Sequence, residues 1–146
     1  MAKRPCDSVT APWPEKGATV PLMFLTGDGM RGGPLHQHIA GARLIGERRT
    51  LPRYRFFSVR DEFPALCPVS DGGGPVLGEL YDVPMPQLHE LLAREPPELE
   101  LSIVELEPAD LSFGMILRRG DGGQAFTDIT AYGGWRAYRQ AVSPPG

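Results

Sequence analysis

Residues 20–41 read VPLMFLTGDGMRGGPLHQHIAG, and two folds compete for this stretch. Gly27, Gly29 and Gly32 satisfy G-x-G-x-x-G after an apolar, strand-like run, and Glu47 stands twenty residues beyond Gly27. That is the outline of a dinucleotide-binding loop. Such a site also needs a long helix facing the pyrophosphate, set in a βαβ frame. Here only about seven residues separate Pro34 from Gly41, against the dozen or more of a parallel crossover. Asp28 adds a negative charge among the amides that a phosphate would use. The sequence therefore argues against a nucleotide. Two readings remain open for the loop. Its glycines either turn the chain tightly and nothing more, or they bring a small polar ligand close to backbone N–H groups in an anion or oxyanion cradle.

The rest of the chain decides the fold. "TVPLMFL" reads as a buried strand, and "PLHQHIAG" as a short helix opened by Pro34 and stopped by Gly41. "ARLIGERRT" and "RYRFFSV" are strand-like, the second through Tyr54, Phe56 and Phe57. After the "SDGGGP" turn, "PVLGELYDVP" is another strand. "MPQLHELLARE" is an amphipathic helix with Leu88, Leu91 and Leu92 inward, ended by Pro96-Pro97. "LELSIVELE" and "LSFGMILRR" pair across "PAD", "DGGQAF" turns the chain, and "GGWRAYRQAV" closes it as a short helix. Consecutive strands on short turns imply antiparallel pairing. The expected class is α+β, a small mixed β-barrel flanked by short helices. A leader over 1–18, one domain over 19–142 and a tail over 143–146 are expected.

Composition removes several function classes. The chain has 146 residues, long enough for a real core, and its net charge of −3 gives no electrostatic footprint for nucleic acid. No apolar run approaches membrane-spanning length. Lys3 and Arg4 in the leader are followed by no signal-peptide core, so a cytoplasmic location is the default. Cys6 and Cys67 have no metal-ligand spacing, and His36, His38 and His89 form no metal set with any carboxylate. No cofactor and no metal are expected. With 18 Gly and 16 Pro, the chain is built of short elements separated by turns and is not a helical bundle.

"MFLTGDGMRGGPLHQHI", "GARLIGERRTLPRYRFF", "GELYDVP" and "DITAYGGWRAY" resemble the C-terminal domain of allophanate hydrolases. That domain belongs to the gamma-glutamylcyclotransferase-like group, which includes the AIG2-like proteins. The resemblance spans roughly residues 22 to 140 and implies the same small barrel. It implies that the loop Thr26, Gly27, Asp28, Gly29 and Met30 binds substrate through its backbone. It also implies a catalytic glutamate after the main helix, where "LLAREPP" offers Glu95, with Glu98 next. In cyclotransferases that acid moves a proton while the substrate amine attacks its own γ-amide. In allophanate hydrolases the domain instead promotes breakdown of a small N-carboxylated carbamate after a separate amidase domain has acted. Gly29 stands where the allophanate-hydrolase loop carries a histidine. Thr26 and Asp28 stand where the cyclotransferase loop carries a tyrosine and a small hydroxyl residue.

Other residues complete the candidate set. Glu79 is a second candidate acid/base, facing either solvent or the barrel interior, where Arg53 or Arg55 would pair with it. Arg53 and Arg55 share one strand face, where they either hold a substrate carboxylate bidentately or make surface ion pairs. Tyr81 is a further substrate-binding candidate. Asp128 or Thr130 is expected to cap the last helix, Trp135 to pack on the core, and Arg136 to reach towards a carboxylate. The expected function is a small-metabolite enzyme acting on an amide, carbamate or γ-glutamyl compound by general acid/base catalysis. A separate amidase and a second copy of the chain are compatible partners. The alternative is a ligand-binding or partner protein that keeps the fold without the chemistry.

Overall fold

The structure, a computed structural model, describes residues 22–118 and 126–143. The expected leader, the last three residues and most of the "DGGQAF" turn lie outside the described residues. The apolar run before the glycine loop forms β1 (Leu22–Leu25), whose Met23, Phe24 and Leu25 are buried. A strand apolar on both faces belongs inside a sheet, and β1 has a neighbour on each edge. It runs antiparallel to β5 (Leu77–Asp82) and parallel to β7 (Asp110–Leu117).

The other strands are β2 (Arg43–Arg49), β3 (Tyr54–Val59), β4 (Phe63–Pro68), β6 (Leu99–Leu106) and β8 (Phe126–Asp128). Sheet order is β2-β5-β1-β7-β4-β3-β8, with β6 also on β7. β6 covers one edge of β7 from Leu117 to Asp110. The other edge is shared. β1 takes Phe113 and Gly114, and β4 takes Ile116. β1 and β4 therefore leave β7 at successive points, and the sheet curls into a half-barrel with a notch between them. The loop after β1 occupies that notch. Two short helices, α1 (Met85–Ala93) and α2 (Trp135–Val142), complete an α+β fold of the expected kind.

Helix α1 contributes Leu88 and Leu91 to the main core, beside Phe24, Phe56, Leu80 and Tyr81. Each such side chain stabilises by about 1.5–3 kcal/mol when fully buried. The helix cannot run on, because the residue before Pro96 is disfavoured in the α region. A smaller cluster of Val59, Phe63, Ala65 and Leu99 fills the far wing of the sheet, with Met115 against it.

Two strands escape the sequence reading, and one helix changes type. β4 contains Pro64 and Pro68, and proline argues against an interior strand. Pro64 is tolerated at the widening notch, because β4 meets β7 only further along, at Leu66. β8 has only three residues, too few for periodicity to show. The expected helix at "PLHQHIAG" is a single 3₁₀ turn, His36–Ile39.

Candidate functional site

The loop from Thr26 to Pro34 folds on its own backbone. The Met30 amide donates to the Gly27 carbonyl at 3.0 Å, Gly33 to Met30 at 2.9 Å, and Leu35 to Asp28 at 2.9 Å. Glycine is required where the loop is tightest. A Cβ on Gly33 would lie 2.3 Å from the Asp28 carbonyl oxygen, and one on Gly27 would lie 2.5 Å from Cδ of Pro64. The amides of Gly27, Asp28 and Gly29 find no acceptor among the described residues. They are the donors that a bound oxyanion would use. His36 holds the loop from the other side, its Nδ1 donating to the Gly29 carbonyl at 3.0 Å while its ring packs 5.7 Å from that of Tyr81. The chain thus has an imidazole touching Gly29, although none is attached there.

Glu95 follows α1 and lines a cavity of about 20 Å³ with Leu25, Thr26, Gly27, Asp28, Gly29, Phe63, Pro64, Leu99 and Met115. That volume holds about one water molecule. Burial against this wall, with the nearby Asp28 carboxylate adding to it, raises the Glu95 carboxyl from 4.5 to about 7. Burial also raises Asp28, while the Arg139 guanidinium lowers it. Two carboxyl groups sharing one enclosed place suit proton transfer near neutrality. Glu95 also borders a second hollow of about 250 Å³, between the end of α1 and the β6–β7 hairpin.

Glu79 has a different environment. It is fully buried on β5. Its Oε1 accepts the Arg31 amide at 2.8 Å and the Tyr81 hydroxyl at 2.9 Å, and its Oε2 accepts Arg31 Nε at 2.8 Å. Arg136, from α2, adds its two terminal nitrogens at 3.3 Å each. Burial alone would raise the Glu79 carboxyl, but these donors hold it below its ordinary value. The same burial and the bond to Glu79 push the Tyr81 hydroxyl up to about 12. With every lone pair engaged, Glu79 clamps Arg31, Tyr81 and Arg136 together. Its partners are Arg31 and Arg136, not the expected Arg53 or Arg55, since β3 lies on the opposite wing of the sheet.

Arg53 and Arg55 are not brought to the loop. Arg53 pairs with Glu105 at 3.1 Å, and Arg55 pairs with Asp128 and the Gly72 carbonyl at the surface. The expected cap on α2 is absent too. Asp128 and Thr130 bond each other and Thr130 bonds Phe56 across to β3, while Gly134 begins the helix without a side-chain cap. Trp135 packs on the core, and Arg136 reaches the Glu79 carboxylate. Glu98, the other candidate acid, pairs with Arg60 at 2.9 Å. Cys67 is half-buried. Among the described residues no group of three His, Cys, Asp or Glu is placed to hold a metal, and no helix is long and apolar enough to cross a membrane.

Sequence reasoning alone did not find Arg31 or Arg139. The two line an open cleft of about 510 Å³ on the outer side of the loop, together with Asp28, Glu62, Trp135 and Arg136. The signal available was "MRGGP" beside "GGWRAYR", two glycine-flanked arginine segments that only the fold brings together.

The notched half-barrel and its glycine loop define a gamma-glutamylcyclotransferase-like, AIG2-like architecture, and the mouse AIG2-like protein shares the fold. That protein is 21% identical, with a TM-score of 0.55 over 73% of this chain and 82% of the mouse one. More narrowly, the model of the allophanate hydrolase C-terminal domain matches residues 21–140, and the chain belongs to that family. It is 28% identical to the urea amidolyase of Saccharomyces cerevisiae, over 90% of this chain and 8% of the yeast protein. It is 26% identical to the allophanate hydrolase of Kluyveromyces lactis, with a TM-score of 0.79 over 89% of this chain and 23% of that one. The chain thus spans a small part of these larger enzymes.

Proposed function

We propose that the chain is a small-metabolite enzyme acting on an amide, carbamate or γ-glutamyl compound by general acid/base catalysis at Glu95. The observation that carries this reading is a carboxyl with a pKa of about 7, enclosed beside loop amides with no acceptor among the described residues. A group titrating there holds both protonation states at neutral pH, as a proton shuttle requires. The carbonyl oxygen of the substrate would take the N–H groups of the Gly27–Gly29 segment. Glu95 would give a proton to the departing nitrogen, or take one from an attacking amine or water. Burial, with Asp28 adding to it, keeps the Glu95 proton in place until then. In this reading Glu79 and Tyr81 act through Arg31 by fixing the loop.

The relatives support one member of this set. A urea amidolyase and an allophanate hydrolase carry domains of this kind, so a small N-carboxylated carbamate leads the set, supplied by an amidase. A cytoplasmic location would suit such a metabolite. Turnover of allophanate-derived carbamates and γ-glutamyl compounds by wild type and Glu95→Gln tests the reading. Loss of about 10²-fold or more in kcat on Glu95→Gln is expected. Equal turnover by the two proteins refutes it.

One observation favours the second reading, a binding protein without chemistry. The cavity at Glu95 admits about one water, less than an amide or carbamate occupies. A wild type that binds a carbamate without turning it over would establish that alternative.

A further inference from the structure

The cleft outside the loop is chemically unlike the cavity inside it. Arg31, Arg136 and Arg139 all line it, in a protein whose net charge is −3. Their neighbours do not cancel them. Glu79 supplies one buried negative charge to two guanidiniums, Arg31 at 2.8 Å and Arg136 at 3.3 Å. Glu62 faces the cleft but pairs with Arg60 at 3.3 Å. Asp28 is the remaining lining carboxyl.

The donors left over are placed for a ligand. Arg31 is gripped through Nε and its own amide, so its two terminal nitrogens have no acceptor among the described residues. That leaves the flat end of a guanidinium, held still, with a parallel pair of N–H donors. Arg136 is pinned by the Arg31 carbonyl at 2.6 Å as well as by Glu79. Arg139 gives one terminal nitrogen to the Asp61 carbonyl at 2.8 Å and lies 5.4 Å from the centre of the Trp135 ring, and its other nitrogens have no acceptor among the described residues. Surface arginines ordinarily lose side-chain entropy when they order around a ligand. Here a buried carboxylate, a carbonyl and an aromatic face have already ordered them. A cleft of about 510 Å³ is also in the range of small-molecule sites.

We propose that this cleft binds the carboxylate group of a small metabolite, end-on to the Arg31 fork, with Arg136 and Arg139 on its flanks. Arg fork geometry matches a planar carboxylate bidentately, and the lining is apolar enough at Trp135 and Met30 to seat a short carbon chain. The proposal does not depend on Glu95 and is read by binding, without turnover.

The test is a titration of the full chain with succinate at low ionic strength, followed by calorimetry and by backbone amide shifts. Saturable binding is expected, with the amides of Gly32, Gly33 and Trp135 moving and the neutral isostere succinamide leaving them in place. Arg31→Gln and Arg139→Gln should each weaken succinate by about tenfold or more, the loss of one charge-assisted contact. Arg53→Gln, at an exposed arginine just before β3, should not. Melting curves establish that each variant is folded, and Arg139→Gln still decides the matter if Arg31→Gln does not fold. Three results would overturn the proposal: no saturable binding of succinate, equal binding of succinamide, or equal weakening by Arg53→Gln. Tighter binding of inorganic phosphate than of succinate would also overturn it, since the class of ligand would then be wrong.

Discussion

Glu95→Gln should make the protein more stable while removing its proposed acid/base group. The wild-type carboxyl is raised from 4.5 to about 7 by burial and then by Asp28. An acid whose pKa is higher in the folded state loses its proton first on unfolding. Stability from this group is therefore complete below about pH 4.5 and falls as pH rises towards 7. At about 1.4 kcal/mol per pKa unit the whole interval amounts to about 3 kcal/mol, an upper bound, because the cavity wall relaxes around an ionised group. Glutamine keeps the shape and cannot ionise. Above pH 7 the variant should melt several degrees higher than wild type, at about 3 °C per kcal/mol for a domain of this size. At pH 4 to 5 the two curves should converge to within the error of the amide's own fit. Thermal or urea unfolding at four pH values between about 4.5 and 8 measures this. A gain that does not change with pH, or no gain at pH 8, refutes the argument that the carboxyl is held protonated by its surroundings.

Asp28→Asn should lower the Glu95 pKa without restoring the ordinary value, because burial is the larger cause and stays in place; a ¹³C carboxyl titration by NMR reads this. Glu79→Gln should cost about 2–3 kcal/mol at pH 7, less than the 3–5 of a fully buried pair because both arginines are half exposed. The difference from wild type should shrink as pH falls below 4.5, where the depressed Glu79 carboxyl gains its proton, and denaturant melts at pH 7 and about pH 3 check it. Gly27→Ala should destabilise by about 1–3 kcal/mol, since the new Cβ meets the Pro64 ring at 2.5 Å. Its crystal structure should show the loop displaced from Pro64 and the Glu95 cavity enlarged.

Much of the architecture was legible because most elements carry their own signal. β1 announces itself as an unbroken apolar run, α1 through Leu88 and Leu91, and the β6–β7 hairpin through two apolar stretches around a short turn. β4 was hidden because Pro64 obeys a rule that the notch suspends, and β8 because three residues show no period. The candidate site was legible only in part. Strand alternation left Glu79 either inward or outward, but its partners lie 48 and 57 residues away, and no local pattern ranks Arg31 and Arg136 above Arg53 and Arg55. Glu95 came from the resemblance. Its closeness to Asp28 depends on where α1 ends and how far β1 and β4 part, which is geometry and not spelling.

The Glu79 clamp has a consequence for the order of assembly. One carboxylate secures an arginine 48 residues before it and another 57 residues after it, so the loop is not fully held until Arg136 has arrived. During folding β1 and β5 can pair, yet the loop lacks its Arg136 contacts until α2 docks. Contacts of such long sequence separation form late. Helix α2 therefore works as a latch, and the loop takes its fixed shape only when that helix docks.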